Sequence, residues 1–296
     1  MLLLAIITTI ITAKITLAVI IVQVIDMRIV TLVENTCPNN KYIAEHGLCI
    51  YVETEKHKLL VDSGQTNAVI NNADALGIDL SLVDTLILSH GHYDHSGGIL
   101  PFRKRNNTAK IYMQKTAADP HFNGERYIGI DPDILSLPDL ITLDGNHTID
   151  DELFLFSNIT GRKCYPQGNK KLLCEKNGTK VPDDFSHEQC LVISQNGNHY
   201  LLSGCAHNGI INILDRYYEL FGDYPNYVIS GFHMMKRDGI YSQKEINTIM
   251  QTAHLLSDMN TVFFSGHCTG TVPFEIMKQI MGDKLCALHS GYSINI

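Results

Sequence analysis

Residues 88–98 read LSHGHYDHSGG, and this stretch decides the fold. Its first residue, Leu88, is the last residue of Val83–Leu88, a short and nearly continuous apolar run that is typical of a buried strand. Four side chains that can bind a metal follow within six positions, and they are His90, His92, Asp94 and His95. Imidazole and carboxylate are ordinary ligands of Zn²⁺ and similar ions, and packing them together without a cation or a proton is costly. The stretch therefore predicts a divalent-metal site at a strand end.

Composition and charge limit the class of protein. The chain has 296 residues, of which 45% are hydrophobic and 18% are charged, so it can bury a sizeable core and is not a disordered protein. The formal net charge is −8, whereas general nucleic-acid binders carry a basic face. We therefore expect a small-molecule substrate and no nucleic-acid partner. The sequence leaves the oligomeric state open.

Residues 1–26 form a separate apolar segment. About 20 apolar residues are needed to span a bilayer, but Lys14 near the centre of this segment opposes insertion by about 2.5–3.5 kcal/mol. The basic residues that precede the apolar core of a signal peptide are absent. Two interpretations stay open, a signal or membrane anchor and an upstream extension before Met27. If the segment is an upstream extension, we expect a cytoplasmic catalytic domain. If it is a targeting signal, we expect a membrane-anchored or secreted protein. Membrane contact is expected only through residues 1–25.

From Met27 onward, predicted strands alternate with predicted helices. The first half has strands at Arg28–Glu34, Leu48–Glu53, Lys58–Asp62 and Val83–Leu88, and a helix at Thr66–Gly77. The second half has strands at Gln189–Ser194, His199–Leu202, Tyr227–Ser230 and Thr261–Phe264, and helices at Gly209–Leu220, Gln243–Leu256 and Pro273–Met281. This alternation indicates α/β layers.

The region of about residues 119–186 differs from the rest. It is rich in Pro, Gly, Asn and Asp, and only Glu152–Phe156 within it is predicted as a strand. Segments of this length without regular structure are usually functional covers or disordered. We therefore predict one domain over residues 27–296, with an insertion at about 119–186 that covers one face.

The spacing His-x-His-x-Asp-His after an apolar strand, with Leu59–Gly64 (LLVDSG) upstream, resembles the metallo-β-lactamase superfamily. Five further segments are similar to one subfamily of it, and they are Glu34–Thr36 (ENT), Glu45–Thr54 (EHGLCIYVET), Ser203–Leu214 (SGCAHNGIINIL), Gly231–His233 (GFH) and Gly266–Gly270 (GHCTG). That subfamily is named for a dihydropterin-ribofuranosylaminobenzene-phosphate synthase of methanopterin biosynthesis. Most of its members are known only as metal-dependent hydrolases. The resemblance extends from about Met27 to the C-terminus.

The resemblance implies an α/β fold, the αββα four-layer sandwich of the metallo-β-lactamase type, with the metals at one sheet edge. It implies that His90 and His92 hold a first metal, and that Asp94 and His95 hold a second. Asp62 is implied to orient the ligands without binding, as carboxylates behind a metal site do.

The remaining ligands are less uniquely specified. The third ligand of the first metal is His187, which precedes an apolar strand as the family's third motif does, or His207; we favour His187 and expect both in the site. His267 matches the superfamily's last histidine and is implied to complete the second site. His233 is expected nearby, as a substrate contact, an extra ligand or a core histidine.

Cys205 stands where most of the superfamily has an Asp that bridges two metals. Thiolate is a soft ligand and favours zinc over Mg²⁺ or Mn²⁺. Two interpretations stay open, a ligand of the second metal and a buried inert cysteine.

The ligand set predicts a metal-dependent hydrolase with one or two divalent ions, of which zinc is favoured over manganese, magnesium and iron. The catalytic residues would be His90, His92 and Asp94, since a bound metal lowers the pKa of water to about 7 and Asp94 can guide its proton. The expected substrate is an ester, a lactone or a phosphoester. Candidate phosphate contacts are Lys58, Arg103, Lys104, Arg105, Lys236 and Arg237. Two alternatives stay open, the synthase reaction of the subfamily's namesake and a non-catalytic metal-binding scaffold.

Overall fold

The computed structural model of the protein describes residues 27–296. The two interpretations of residues 1–26 concern a segment outside the described residues. Within residues 27–296, no helix is both long enough and apolar enough to cross a membrane.

The first sheet combines the N-terminal half of the described chain with its last strand. In spatial order its strands are β18 (Ser293–Asn295), β1 (Arg28–Val33), β2 (Cys49–Glu53), β3 (Lys58–Val61), β4 (Thr85–Ile87), β5 (Lys110–Gln114) and β8 (Leu140–Leu143). The pairs from β18 to β3 are antiparallel, and those from β3 to β8 are parallel. The sheet is therefore mixed.

The second sheet is also mixed. In spatial order its strands are β17 (Leu285–Ala287), β16 (Val262–Ser265), β15 (Tyr227–Ile229), β14 (Asn198–Leu202), β13 (Cys190–Gln195), β10 (Leu153–Phe156) and β9 (His147–Thr148). The strands from β14 to β17 pair in parallel, whereas β13, β10 and β9 are antiparallel additions. A third, small sheet contains β12 (Thr179–Pro182), β11 (Leu172–Lys176), β6 (His121–Asn123) and β7 (Arg126–Tyr127).

The α-helices flank the two large sheets. They are α1 (Ala68–Leu76), α2 (Tyr93–Ser96), α3 (Ile99–Arg103), α4 (Ile210–Phe221), α5 (Gln243–Ser257) and α6 (Thr271–Met281). In α4 the buried residues Ile210, Ile213, Leu214 and Tyr217 follow the helical repeat, so one face packs on the second sheet. Ser242 and Glu245 form a capping box that begins α5.

Three apolar layers hold the sheets and helices together. The middle layer lies between the two large sheets and includes Leu59 and Leu202 from facing strands. One outer layer packs α1 and α3 on the first sheet, and the other packs α4, α5 and α6 on the second. The predicted α/β class and the αββα order of layers are therefore confirmed.

The region that was predicted as an irregular insertion contains more structure than expected. Besides β10, which was predicted, it contributes the small sheet, and β8 and β9 extend the two large sheets. The prediction that only Glu152–Phe156 forms a strand was wrong. These strands have only two to five residues, so they leave little periodic signal in the sequence.

Candidate metal centre

The candidate ligands meet because several strands end at one edge of the sandwich. Strands β3 and β4 are parallel, and so are β14, β15 and β16. The residues that directly follow these strands are Asp62, Leu88, Ser203, Ser230 and Gly266. Strand β13 runs antiparallel to β14, which brings the segment before it, with His187, to the same edge. Residues far apart in sequence thus converge there.

Four donors form what we call the second-metal set, and they are Asp94, His95, Cys205 and His267. The Nε2 atom of His95 lies 3.2 Å from both Cys205 Sγ and His267 Nε2. The Oδ2 atom of Asp94 lies 3.4 Å from His267 Nε2 and 3.8 Å from His95 Nε2. Ligand atoms around a tetrahedral zinc at about 2.0–2.3 Å are about 3.3–3.8 Å apart. The set therefore has the spacing of a metal site.

Hydrogen bonds on the far side of each ring show why this set needs a cation. His95 Nδ1 lies 2.6 Å from Asp62 Oδ2, and His267 Nδ1 lies 2.8 Å from Asn35 Oδ1. Because both Nδ1 atoms donate to acceptors, both Nε2 atoms of the neutral rings present lone pairs to each other. Burial lowers the pKa of His95, but the carboxylates of Asp62 and Asp94 raise it more, so the net shift is upward.

Three imidazoles form what we call the first-metal set, and they are His90, His92 and His207. Their ring centroids are 4.6–4.8 Å apart, and the Nε2 atom of each is buried without a hydrogen-bond partner among the described residues. Burial, together with neighbouring histidines, holds the pKa of each well below its ordinary value. Neutral imidazole is the form that binds metals.

The outer nitrogens of His90 and His207 follow the pattern of the second-metal set. Ser89 donates its hydroxyl hydrogen to Asp62, so the same oxygen accepts from His90 Nδ1 at 2.8 Å. The Oδ1 atom of Asn169 lies 3.0 Å from His207 Nδ1. Both Nε2 atoms consequently carry free lone pairs. A metal ion bound to them would explain why these two buried atoms have no hydrogen-bond partner within residues 27–296.

His187 is placed differently from His207, although the sequence favoured it as the third ligand of the first metal. Its Nδ1 accepts from the Gly91 amide at 3.0 Å, and its Nε2 lies 3.3 Å from Asp183 Oδ2. Burial and the neighbouring His121 hold the pKa of His187 below its ordinary value, so the neutral ring has both nitrogens engaged. This geometry favours His207, whose Nε2 is free.

Asp183 accepts hydrogen bonds from two histidines. His121 Nδ1 lies 2.9 Å from the same Oδ2 atom, and we call His121, Asp183 and His187 the carboxylate-bridged set. Burial raises the pKa of Asp183, but hydrogen bonds from the two histidines lower it more, so it stays ionised. His121 was missed in the sequence because it lies on β6, a strand that was itself not predicted.

Cys205 lies between the two metal sets. It follows β14, and its Sγ atom groups with Asp94, His95 and His267 on one side and with His90 and His207 on the other. Its Sγ atom therefore lies within 4.8 Å of donors in both sets. Burial raises the pKa of the Cys205 thiol, and the neighbouring Cys268 raises it further; the pKa of Cys268 falls, because contacts with Cys205 and His233 outweigh the effect of burial.

Asp62 lies behind both metal sets, where the resemblance implied it. It accepts from the Ser89 amide at 2.7 Å as well as from the Ser89 hydroxyl and His95. Its φ of 61° is left-handed, a conformation that costs about 1–2 kcal/mol for a residue with a Cβ atom. The carboxylate thereby fixes ligands of both sets at once.

Several residues that contact the site were not singled out in the sequence. His46 Nε2 lies 3.2 Å from Asp94 Oδ2 and its side chain is 38% exposed. Glu34 accepts from the backbone amides of Thr36 and His267. Glu34, Asn35 and His46 all fall within the ENT and EHG segments of the subfamily pattern, so that pattern was the signal that could have identified them.

A cavity of about 610 Å³ opens over both sets. His92, Asp94, Cys205 and His207 reach it, and so does His233, as expected. Its wall carries five cationic side chains, which are Arg126, Lys170, Lys171, Lys236 and Arg237. The other candidate phosphate contacts lie elsewhere; Lys58 and Arg105, for example, pair with Glu53 and Asp74.

At this sheet edge, nitrogen lone pairs face each other beside a cavity, an arrangement that suits a divalent cation. The model of the metallo-beta-lactamase superfamily matches residues 43–160. The solved structure of Tm1679, a metal-dependent hydrolase of the beta-lactamase superfamily, is 30% identical with a TM-score of 0.78, covering 91% of this chain and 99% of that one. The protein belongs to the metallo-beta-lactamase superfamily.

Two relatives from Methanocaldococcus jannaschii also match over most of their length. The uncharacterized protein MJ0448 is 29% identical over 84% of this chain and 93% of its own. The 7,8-dihydropterin-6-methyl-4-(beta-D-ribofuranosyl)-aminobenzene-5'-phosphate synthase is 27% identical over 91% of this chain and 96% of its own. Relatives of this chain thus include both a hydrolase by description and a synthase.

Proposed function

We propose that the protein is a metal-dependent hydrolase that cleaves an ester or phosphoester bond of an anionic small molecule. One observation carries the proposal: two adjacent sets of buried donors present lone pairs to each other at the floor of a cavity with a cationic wall. The donors are imidazole, carboxylate and thiol, which suit zinc better than Mg²⁺. A bound divalent cation supplies an acidified water and polarises the bond that is cleaved.

The residues of the chain divide the remaining work. We assign His90, His92 and His207 to the first ion, and Asp94, His95, His267 and Cys205 to the second. Asp94 is held by His46 and His267, and its carboxylate can accept the proton of the attacking water. Asp62 keeps the ligand rings oriented, and His233 lies on the cavity wall, where it can donate to the substrate.

The cationic wall supports an anionic substrate. The Nζ atom of Lys236 lies 3.2 Å from Glu245 Oε1, which partly neutralises its charge. Lys170 and Lys171 form no ion pair within residues 27–296. Cations near a metal site attract and orient phosphate or carboxylate groups. The cavity volume of about 610 Å³ and the net charge of −8 support a small molecule over a nucleic acid.

The first test measures metal content and hydrolysis on the full chain purified without chelator. We expect two divalent ions per chain by plasma mass spectrometry, and metal-dependent cleavage within a panel of nitrophenyl esters, lactones and nitrophenyl phosphates. Two ions without any hydrolysis would support the scaffold alternative. Absence of bound metal after reconstitution would overturn the proposal.

A second test addresses the substrate class. The double change Lys170→Ala and Lys171→Ala should raise KM for a phosphorylated substrate and leave KM for an uncharged ester unchanged. The matched control is Lys110→Ala, a change on an exposed position of β5 that is not part of the cavity wall. Equal effects on both substrates would contradict the anionic assignment.

The synthase reaction is the second candidate function, because the synthase relative matches nearly the whole chain. The same wall would then hold a phosphate and a pyrophosphate leaving group. Incubation with the dihydropterin pyrophosphate and the ribofuranosylaminobenzene phosphate, with release of pyrophosphate as the readout, separates the two candidates. Pyrophosphate release without hydrolysis of the panel would favour the synthase.

A further inference from the structure

Beside the two metal sets, a third group of donors contains two cysteines. Cys205, His233 and Cys268 offer ligand atoms that all lie within 4.8 Å of one another. All three side chains line the cavity, and both cysteines are free thiols. Donor atoms around a tetrahedral zinc are about 3.3–3.8 Å apart, so small rotations bring the three donors to one ion.

The His233 ring has a nitrogen that the protein itself does not satisfy. Its Nδ1 atom is buried and has no hydrogen-bond partner within residues 27–296. A buried polar atom without a partner costs about 1–3 kcal/mol, and such an atom beside two thiols points to a bound cation. The ring lies 4.1 Å from that of His207, measured between centroids, so the group borders the first-metal set.

The backbone around Cys268 is built to hold its side chain in this place. A side chain at Gly231 would collide with Cys268 Sγ, so glycine is needed for the close approach. The Met234 and Met235 amides donate to the Cys268 carbonyl at 2.9 and 2.8 Å. His233 and the neighbouring ligand His267 have left-handed φ values of 48° and 49°, and strain of this kind concentrates at functional sites.

We propose that Cys205, Cys268 and His233 form a thiolate-rich site for a soft divalent cation such as zinc. The site shares Cys205 with the dinuclear centre, so in that respect it rests on the proposed function. Two thiols lose their protons, the cation binds two thiolates and a neutral imidazole, and two protons are released to solvent. A thiolate can bridge two ions, and Cys205 lies between the sets.

Cobalt(II) is the probe, because thiolate ligands give it a charge-transfer band in the near ultraviolet. The full chain is loaded with Co²⁺, and the band is compared between wild type and Cys268→Ser. We expect the band to fall by about a third in Cys268→Ser, because one of three cobalt–thiolate bonds is lost. The band should fall by about two thirds in Cys205→Ser, because Cys205 contributes a thiolate to this site and to the second ion. The matched control is Cys164→Ser, which removes a thiol that lines the cavity outside the group.

An undiminished band in Cys268→Ser, together with its full loss in Cys205→Ser, would overturn the inference and leave the dinuclear centre standing. A wild-type chain that binds no cobalt would contradict the proposed function as well. If Cys268→Ser fails to fold, alkylation of the wild-type chain answers the same question. Zinc should then protect Cys268 but not Cys164 from iodoacetamide, as read by peptide mass mapping, and equal labelling of Cys268 with and without zinc would overturn the inference.

Discussion

Two groups of buried histidines lie side by side at the sheet edge, and their nitrogens are satisfied in opposite ways. In the second-metal set, His95 and His267 each donate outward through Nδ1, so their Nε2 atoms face each other as lone pairs. In the carboxylate-bridged set, two rings direct N–H groups at one carboxylate oxygen of Asp183. The first arrangement leaves two lone pairs that one cation can bind. In the second, the donated N–H groups already meet a carboxylate, and His121 Nε2 is the ring nitrogen of that set left without a partner within residues 27–296.

The comparison teaches that burial does not identify a metal ligand. His187 and His207 are both 1% exposed, and both stand near the ends of the same pair of strands. They differ in where their hydrogens go: His187 uses both nitrogens within the protein, while His207 keeps one lone pair free. Counting the hydrogen-bond donors and acceptors around each ring therefore distinguishes a candidate metal ligand from a histidine that only orients its neighbours.

The largest expected effect comes from breaking the second-metal set. Asp94→Ala removes a carboxylate that contacts His46 and His267. We expect the bound metal to fall by about one equivalent and hydrolysis to fall by roughly 10³-fold or more, since the acidified water depends on the ion. Plasma mass spectrometry and initial rates on the best panel substrate measure both quantities.

The matched control for Asp94→Ala is Asp131→Ala, which removes an exposed carboxylate that caps a 3₁₀ turn at Pro132–Ser136. It should leave metal content and rate unchanged. Unchanged metal content in Asp94→Ala would remove Asp94 from the ligand set.

Removal of metal is the next largest effect. Chelation should lower the free energy of unfolding by about 4 kcal/mol relative to protein with free metal at 1,000 times Kd, because the ion binds only the folded state. Thermal unfolding with and without EDTA measures the shift. The shift should persist in Asp183→Asn, because Asp183 is assigned to neither ion; a shift that vanishes in this variant would contradict the comparison.

The sequence predicted most of the fold because its large strands and helices have clear apolar periodicity. It also predicted that His90, His92, Asp94 and His95 lie together, since the four fall within six positions. Apart from β10, it did not predict the strands of residues 119–186, because strands of two to five residues carry little periodic signal. His121 was missed for the same reason.

The choice between His187 and His207 shows a second limit. The sequence placed both near the site from their positions beside strands β13 and β14. It could not say which nitrogen of each ring is free, because that depends on Gly91, Asp183 and Asn169, which are distant in sequence from one or both rings. Hydrogen-bond partners of this kind are visible only in the folded chain.

Two matched variants sharpen the distinction between ligand and support. His207→Ala should lose about one equivalent of metal. His187→Ala should keep the stoichiometry but bind metal roughly 10–100-fold more weakly, the usual cost of losing a residue that orients ligands, because His187 holds the Gly91 amide. Titration against a chromophoric chelator measures both. The reverse order of effects would make His187 the ligand, as the sequence favoured.

The smallest expected effect concerns the charge of Asp183. Its folded-state pKa is lowered by His121 and His187 despite burial, so the folded state binds fewer protons than the unfolded state. The stability it contributes is therefore full above the ordinary carboxyl pKa of about 4 and is lost as the pH falls below that value. Asp183→Asn should cost about 1–3 kcal/mol at pH 7. The carboxylate accepts from His121 and His187 with one oxygen and from the Phe185 amide with the other, whereas an amide has a single acceptor oxygen.

Urea unfolding of the metal-free protein between pH 7 and pH 3 measures this effect, and the wild type and Asp183→Asn should converge as the carboxyl protonates. Burial lowers the pKa of His187 and Asp183 raises it, so the difference between the two proteins reports the carboxylate together with the ring that it holds. Asp131→Asn, on an exposed cap, should show a small difference at every pH. If the difference in free energy of unfolding between the wild type and Asp183→Asn stays constant down to pH 3, the shape of the side chain and not its charge holds the two rings. The contrast between the carboxylate-bridged set and the second-metal set would then be lost.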